Sequence, residues 1–164
     1  MRKRLKDAKD WRASPEKMDE RINRLKTAEE CAIFSKNVTV RGFPDLAIRA
    51  ERRGVELRAA THEVKDATER EAFEAVYAYE LALVKNTGKK ARATAIWKMI
   101  RRLGIVETIQ RSVNGDSDSS RYATLKAIGM QDLVFESIVV KHHDEFAQTT
   151  VDRAAARLAE WVEL

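Results

Sequence analysis

The feature that most constrains the fold is an apolar stripe in the centre of the sequence. Between residues 66 and 85, large apolar side chains recur at spacings of three and four, namely Phe73, Val76, Tyr77, Leu81 and Val84. These spacings place side chains on one face of an α-helix, whereas a half-buried strand requires strict alternation. The pattern therefore predicts a long amphipathic helix, which we expect to form the centre of the core.

The composition favours helices in the rest of the chain as well. The 164 residues include only six glycines and two prolines, and 35% of them are charged. This composition is typical neither of a loop-rich β-sandwich nor of a disordered chain, and the length suits one domain. We predict an all-α fold, a compact single domain of about six to eight helices over residues 14–164. A basic, flexible N-terminal arm over residues 1–13 is expected to precede it.

Local signals mark where several helices begin. Ser14 followed by Pro15 is typical of a helix start, and Thr27 with Glu30 has the spacing of a capping box. Gly42 and Pro44 interrupt regular structure just before residue 45, which predicts a helix over residues 45–60. These signals give the first part of the chain three helices.

Two further helices are expected near the C-terminus. The apolar run over residues 133–140 admits a strand or a buried helix, and we predict a helix. A last helix is predicted to begin near residue 149. Its inward face is expected to comprise Val151, Ala155, Leu158 and either Trp161 or Val162.

The charges are unevenly distributed along the sequence. Between Lys85 and Arg111 there are eight basic residues and one acidic residue, and residues 1–12 add six basic and two acidic residues. Because the whole chain carries only +5, the remainder is net negative. Such segregation favours a polyanionic partner. The alternative is that the charges serve solubility or pair with the acidic segments.

The basic segment contains a pair of predicted helices, within residues 91–114, that meet at Gly104. Two helices joined by a glycine-containing turn have the shape of a helix-turn-helix. The motif usually has a small residue where this chain has Ile100 and an apolar residue where it has Gln110. Two alternatives therefore stay open: nucleic-acid binding without sequence specificity, and an ordinary solvated cationic helix. Trp97 is expected to pack in the core, with base stacking as the alternative.

The candidate nucleic-acid contacts follow from a helical wheel. On the second helix, Thr108 and Arg111 are predicted to face outward, beside Glu107, and to reach base edges. The other cations are expected to contact phosphates. The full candidate set is Lys89, Lys90, Arg92, Lys98, Arg101, Arg102, Thr108 and Arg111.

Motifs for catalysis or metal binding are incomplete. The ligand-type side chains of residues 142–145 are consecutive, and neighbours on a helix diverge by about 100°, so they cannot converge on one ion. Asp116 and Asp118 lack the glycine and glutamate of a calcium loop. Cys31 is the only cysteine and lies on an apolar helix side, which indicates a buried thiol. We predict no catalytic residues, no metal and no cofactor.

Together these features predict a small helical nucleic-acid-binding protein, with DNA favoured over RNA and no enzymatic activity. The alternative is a helical module for protein-protein contacts or homo-oligomerisation, indicated by Tyr79, which lies off the apolar stripe and is expected to be exposed. No signal peptide and no apolar run of about 18 residues occurs. We therefore expect a cytoplasmic protein without a membrane partner.

Overall fold

The computed structural model describes residues 15–164, and all regular secondary structure in that range is helical. It contains nine α-helices, two short 3₁₀ helices (Gln131–Leu133 and His143–Glu145) and no strand. The α-helices are α1 Pro15–Asn23, α2 Ala28–Val40, α3 Pro44–Ala59, α4 Ala67–Thr87, α5 Thr94–Leu103, α6 Ile105–Asn114, α7 Ser119–Lys126, α8 Phe135–Lys141 and α9 Gln148–Val162. The all-α prediction is confirmed, with one helix more than expected. The predicted arm over residues 1–13 and the predicted cap Ser14 lie outside the described residues.

The chain divides into two compact units, Met1–Arg58 and Ala59–Leu164. A single domain over residues 14–164 therefore stays a prediction. No helix within residues 15–164 combines the length and the hydropathy needed to cross a bilayer.

The first unit contains α1, α2 and almost all of α3. The predicted capping residue Thr27 accepts a hydrogen bond from the Glu30 amide at 3.1 Å, which confirms the start of α2. Between α2 and α3, the buried Ser35 hydroxyl donates to the Glu51 carboxyl at 2.7 Å. Cys31 is buried, as predicted, and burial raises the pKa of its thiol. A neutral buried thiol is a poor nucleophile.

The second unit is built around α4, which contacts α6, α7 and α8. Of the predicted stripe, Phe73 and Val76 are buried, whereas Tyr77, Leu81 and Val84 are only partly buried. The buried surface of α4 is wider than the stripe, because alanines let neighbouring helices approach closely; these are Ala72, Ala75, Ala78 and Ala82.

Two expectations about exposed and buried positions in this unit are wrong. Tyr79 is partly buried against the core, with the Arg121 guanidinium 5.4 Å from its ring. The buried side of α9 lies one position before the predicted one: Ala155 is exposed, and Val151 and Leu158 are only partly buried. Of the two alternatives at the end of the helix, Trp161 is buried, as predicted, and Val162 is exposed. The buried residues of α9 are Thr150, Ala154, Arg157 and Trp161. The shift arises because α9 buries a threonine and an arginine that polarity alone assigns to the outside.

Gly104 is the only residue between α5 and α6, and its backbone has φ 83° and ψ 164°. This combination is essentially restricted to glycine, because a Cβ atom would clash with the chain's own backbone. Gly88, which ends α4, has φ 69° and ψ 5° and lies in the left-handed helical region, where asparagine is tolerated. Apart from the adjacent residues of the chain, no heavy atom lies within 4 Å of a Cβ built on either glycine, so the two sites differ in backbone conformation and not in surrounding space.

The two glycines provide a matched test of the junction between α5 and α6. We expect Gly104→Asn to lower the free energy of unfolding by about 1–3 kcal/mol. Gly88→Asn should cost less, below about 1 kcal/mol, because its conformation is open to asparagine. Urea unfolding of the two variants measures the difference, and equal losses would contradict the role assigned to Gly104.

Candidate nucleic-acid interface

The pair α5 and α6 is amphipathic, with an apolar face turned into the second unit. Ile96 and Trp97 of α5 are buried, as are Ile105, Ile109 and Val113 of α6. All five belong to the hydrophobic core of this unit. The pair is therefore held in the second unit by its inner face.

A carboxyl group of α4 anchors the start of α5. Glu80 is buried, and its Oε1 accepts hydrogen bonds from the Ala93 amide at 2.8 Å and from the Trp97 indole Nε1 at 2.6 Å. Ala93 immediately precedes α5, and its own side chain does not cap the helix. Glu80 thus provides an acceptor close to the donors that a helix start leaves free. Helical periodicity did not identify Glu80, although it is the single acidic residue in the otherwise largely apolar stretch 75–84.

Aromatic rings pack around the same tryptophan. The His62 ring stacks on Phe73, with centroids 4.1 Å apart and planes at 2°, and lies 5.6 Å from the Trp97 ring. His62 Nε2 and the Tyr77 hydroxyl are 2.8 Å apart and share a hydrogen bond. Burial lowers the pKa of His62, which favours the neutral imidazole. The rings of His62, Phe73 and Tyr77 thus pack against Trp97.

Trp97 is a core residue and does not offer a stacking surface for bases. Only 6% of it is exposed, its indole N–H is bonded to Glu80, and the Arg92 guanidinium lies 5.6 Å from its ring. The predicted packing in the core is confirmed, and the base-stacking alternative is wrong.

Six of the predicted contact residues are exposed cations without an ion-pair partner in the described part of the chain. They precede α5 or lie on its outer face, and all are exposed: Lys89, Lys90, Arg92, Lys98, Arg101 and Arg102. None of their side chains forms an ion pair within residues 15–164. We call these six residues the basic face. On α5, the angular positions at about 100° per residue put Lys98, Arg101 and Arg102 within one third of the helix circumference.

The two predicted base-contacting residues of α6 differ from the basic face. Thr108 was predicted to face outward, but it is fully buried, and its hydroxyl donates to the Gly104 carbonyl at 2.7 Å. The reason is that position 108 lies about 60° from Ile105 on the helix circumference, inside the buried arc, and the Gly104 carbonyl satisfies its hydroxyl. Arg111 is exposed, and its Nε donates to Glu107 at 3.0 Å. Thr108 cannot reach a base edge, and Arg111 already has a carboxylate partner.

The junction between the helices also differs from a helix-turn-helix. That motif has a turn of three to four residues, whereas α5 and α6 are separated by Gly104 alone. The predicted helix pair is present at 94–103 and 105–114, but a helix-turn-helix function for it stays a prediction.

The ligand-type side chains at residues 142–145 are bound to neighbouring groups. His142 lies 3.1 Å from Glu71, which also accepts from Lys141 at 2.7 Å, and Glu145 accepts from Thr68 at 2.6 Å. Burial raises the pKa of Glu71, but the two hydrogen bonds outweigh it, so its pKa is lowered. Within residues 15–164, no three His, Cys, Asp or Glu side chains are arranged to hold a metal ion.

The anchoring role of Glu80 can be tested by comparing two substitutions. Glu80→Ala leaves two buried donors without an acceptor, and we expect it to lower the free energy of unfolding by about 2–5 kcal/mol. Glu80→Gln keeps an oxygen at the same place and should cost about 1 kcal/mol or less. The measurement is urea unfolding followed by circular dichroism. If both variants unfold at the same urea concentration, Glu80 does not anchor the start of α5.

The chain matches no protein-family model, no curated protein and no solved structure. The function proposed for it therefore depends on the geometry of its own residues.

Proposed function

We propose that this protein binds nucleic acid, preferentially duplex DNA, through the basic face, by contacts to backbone phosphates. The observation that carries the proposal is the set of six exposed cations without ion-pair partners in residues 15–164, on a segment fixed to the core by Glu80. Lysine and arginine side chains in such a group neutralise phosphates and release the counterions that surround nucleic acid. The preference for DNA is part of the proposal and rests on α5, because the major groove of B-DNA is wide enough to admit an α-helix.

Sequence-independent binding is the form of this function that the contacts favour. Reading bases requires side chains with free donors or acceptors that can enter a groove. On α6, Thr108 is buried and cannot reach a base, and Arg111 already donates its Nε to Glu107, so α6 offers few groups for that task. The cations of the basic face carry no such restriction, because phosphate contacts need only charge and proximity.

The proposal can be tested with a charge-reversed variant and a matched control. The variant Lys98→Glu, Arg101→Glu, Arg102→Glu removes half of the basic face. The control Lys17→Glu, Lys26→Glu, Lys36→Glu reverses three exposed lysines of the first unit. Each reversal changes the charge by −2, so both variants move from +5 to −1.

We expect the basic-face variant to bind a duplex of mixed sequence roughly 10- to 100-fold more weakly at low salt. Its plot of log affinity against log salt should be shallower by about 2 to 3 units of slope, because each phosphate contact contributes about 0.9. The control should keep most of its affinity and the wild-type slope. Fluorescence anisotropy across a salt series measures both quantities, with circular dichroism to verify folding. Equal losses in the two variants, or no binding by the wild type, would rule the proposal out.

A further inference from the structure

The second unit contains a cavity of about 370 Å³ that lies among α5 to α9 and is separate from the basic face. Its polar lining comes chiefly from three arginines, Arg111, Arg121 and Arg157, and from the carboxyl groups of Asp116, Asp118 and Glu136. Pockets for small molecules in proteins range from about 300 to 1,000 Å³, so the cavity suits a small organic ligand.

One of these arginines is already satisfied by the protein. Arg157 is buried, and its guanidinium donates to Glu136 at 3.3 Å and to the Gly115 carbonyl. Burial raises the pKa of Glu136 despite its contact with Arg157. Arg157 and Glu136 both line the cavity, and because Arg157 is already bonded to protein acceptors, it needs no ligand.

Arg121 is in the opposite situation. Its guanidinium lies 5.4 Å from the Tyr79 ring and 5.8 Å from the Phe135 ring, which fix it in place on two sides. Its Nε is buried and has no hydrogen-bond partner in the described part of the chain. The charge of Arg121 influences Asp118 and Glu136 through space, but it forms no ion pair with either. The two terminal guanidinium nitrogens are not buried in this way, and they also form no hydrogen bond within residues 15–164, so they are the donors that a bound oxyanion would satisfy.

We propose that this cavity binds a small organic ligand through one oxyanion, a carboxylate or a phosphate group, held by the Arg121 guanidinium. The apolar body of the ligand would pack against Met99, Val134 and Phe135, which also line the cavity. Asp116 and Asp118 at the same cavity disfavour a polyanion. A ligand with a single anionic group therefore fits better than a nucleotide triphosphate or a nucleic-acid strand.

The test follows the Arg121 side chain directly in the wild-type protein by NMR. The Nε–Hε resonance of Arg121 is identified by its loss in Arg121→Lys, and that of Arg153 by its loss in Arg153→Lys. Arg153 is the matched reference, because it donates to Asn114 and does not line the cavity. Three probes of similar size are titrated to millimolar concentration: benzoate, phenyl phosphate and the uncharged benzamide.

We expect benzoate, phenyl phosphate or both to shift the Arg121 resonance in a saturable manner while Arg153 stays in place. Benzamide should have no such effect. A response to only one acid identifies the preferred oxyanion. The proposal is overturned if Arg121 moves no further than Arg153 with either acid, or if benzamide acts as strongly as the acids. The charge-reversed basic-face variant should retain the Arg121 response, so failure of nucleic-acid binding and failure of this site are distinguishable.

Discussion

The hydrogen bonds to Glu80 are the contacts on which the arrangement of the basic segment depends. One carboxyl oxygen joins α4, the central helix of the second unit, to the residue before α5 and to the indole of Trp97. Because Trp97 is itself surrounded by His62, Phe73 and Tyr77, the anchor continues into the apolar core. The backbone at the start of α5, which carries or adjoins these cations, is thereby ordered in the free protein. Less conformational entropy would then be lost if a partner bound there.

The charged residues of the second unit fall into two groups with different roles. Glu80, Glu136 and Arg157 are buried and bonded to protein donors or acceptors. Burying a charged or polar group is unfavourable unless it is paired, so these three residues specify how the helices pack. The residues of the basic face are exposed and have no ion-pair partner in residues 15–164, and such cations contribute little to folding stability. Their position on α5 and just before it, without a neutralising carboxylate, is the reason to propose that they bind a polyanion.

Helical periodicity predicted most of the fold and only part of the candidate site. It identified α4, the pair α5 and α6, and the helical state of α8, because apolar spacing is a local property of the chain. It assigned polar side chains to the outside, and this rule was wrong for Thr108 and Arg157, which are buried. The partners that make burial possible are distant in sequence: Glu80 and Trp97 are 17 residues apart, and Glu136 and Arg157 are 21 apart. Such pairings depend on the tertiary fold and cannot be derived from one helix at a time.

The most direct test of the account is lysine footprinting of the wild-type protein with and without duplex DNA. Acetylation at each lysine, measured by mass spectrometry, reports which amino groups the nucleic acid covers. We expect DNA to protect the lysines of the basic face, Lys89, Lys90 and Lys98, and to leave the exposed lysines elsewhere reactive, namely Lys17, Lys36 and Lys126. Equal protection of both sets, or protection of the second set alone, would contradict binding through the basic face.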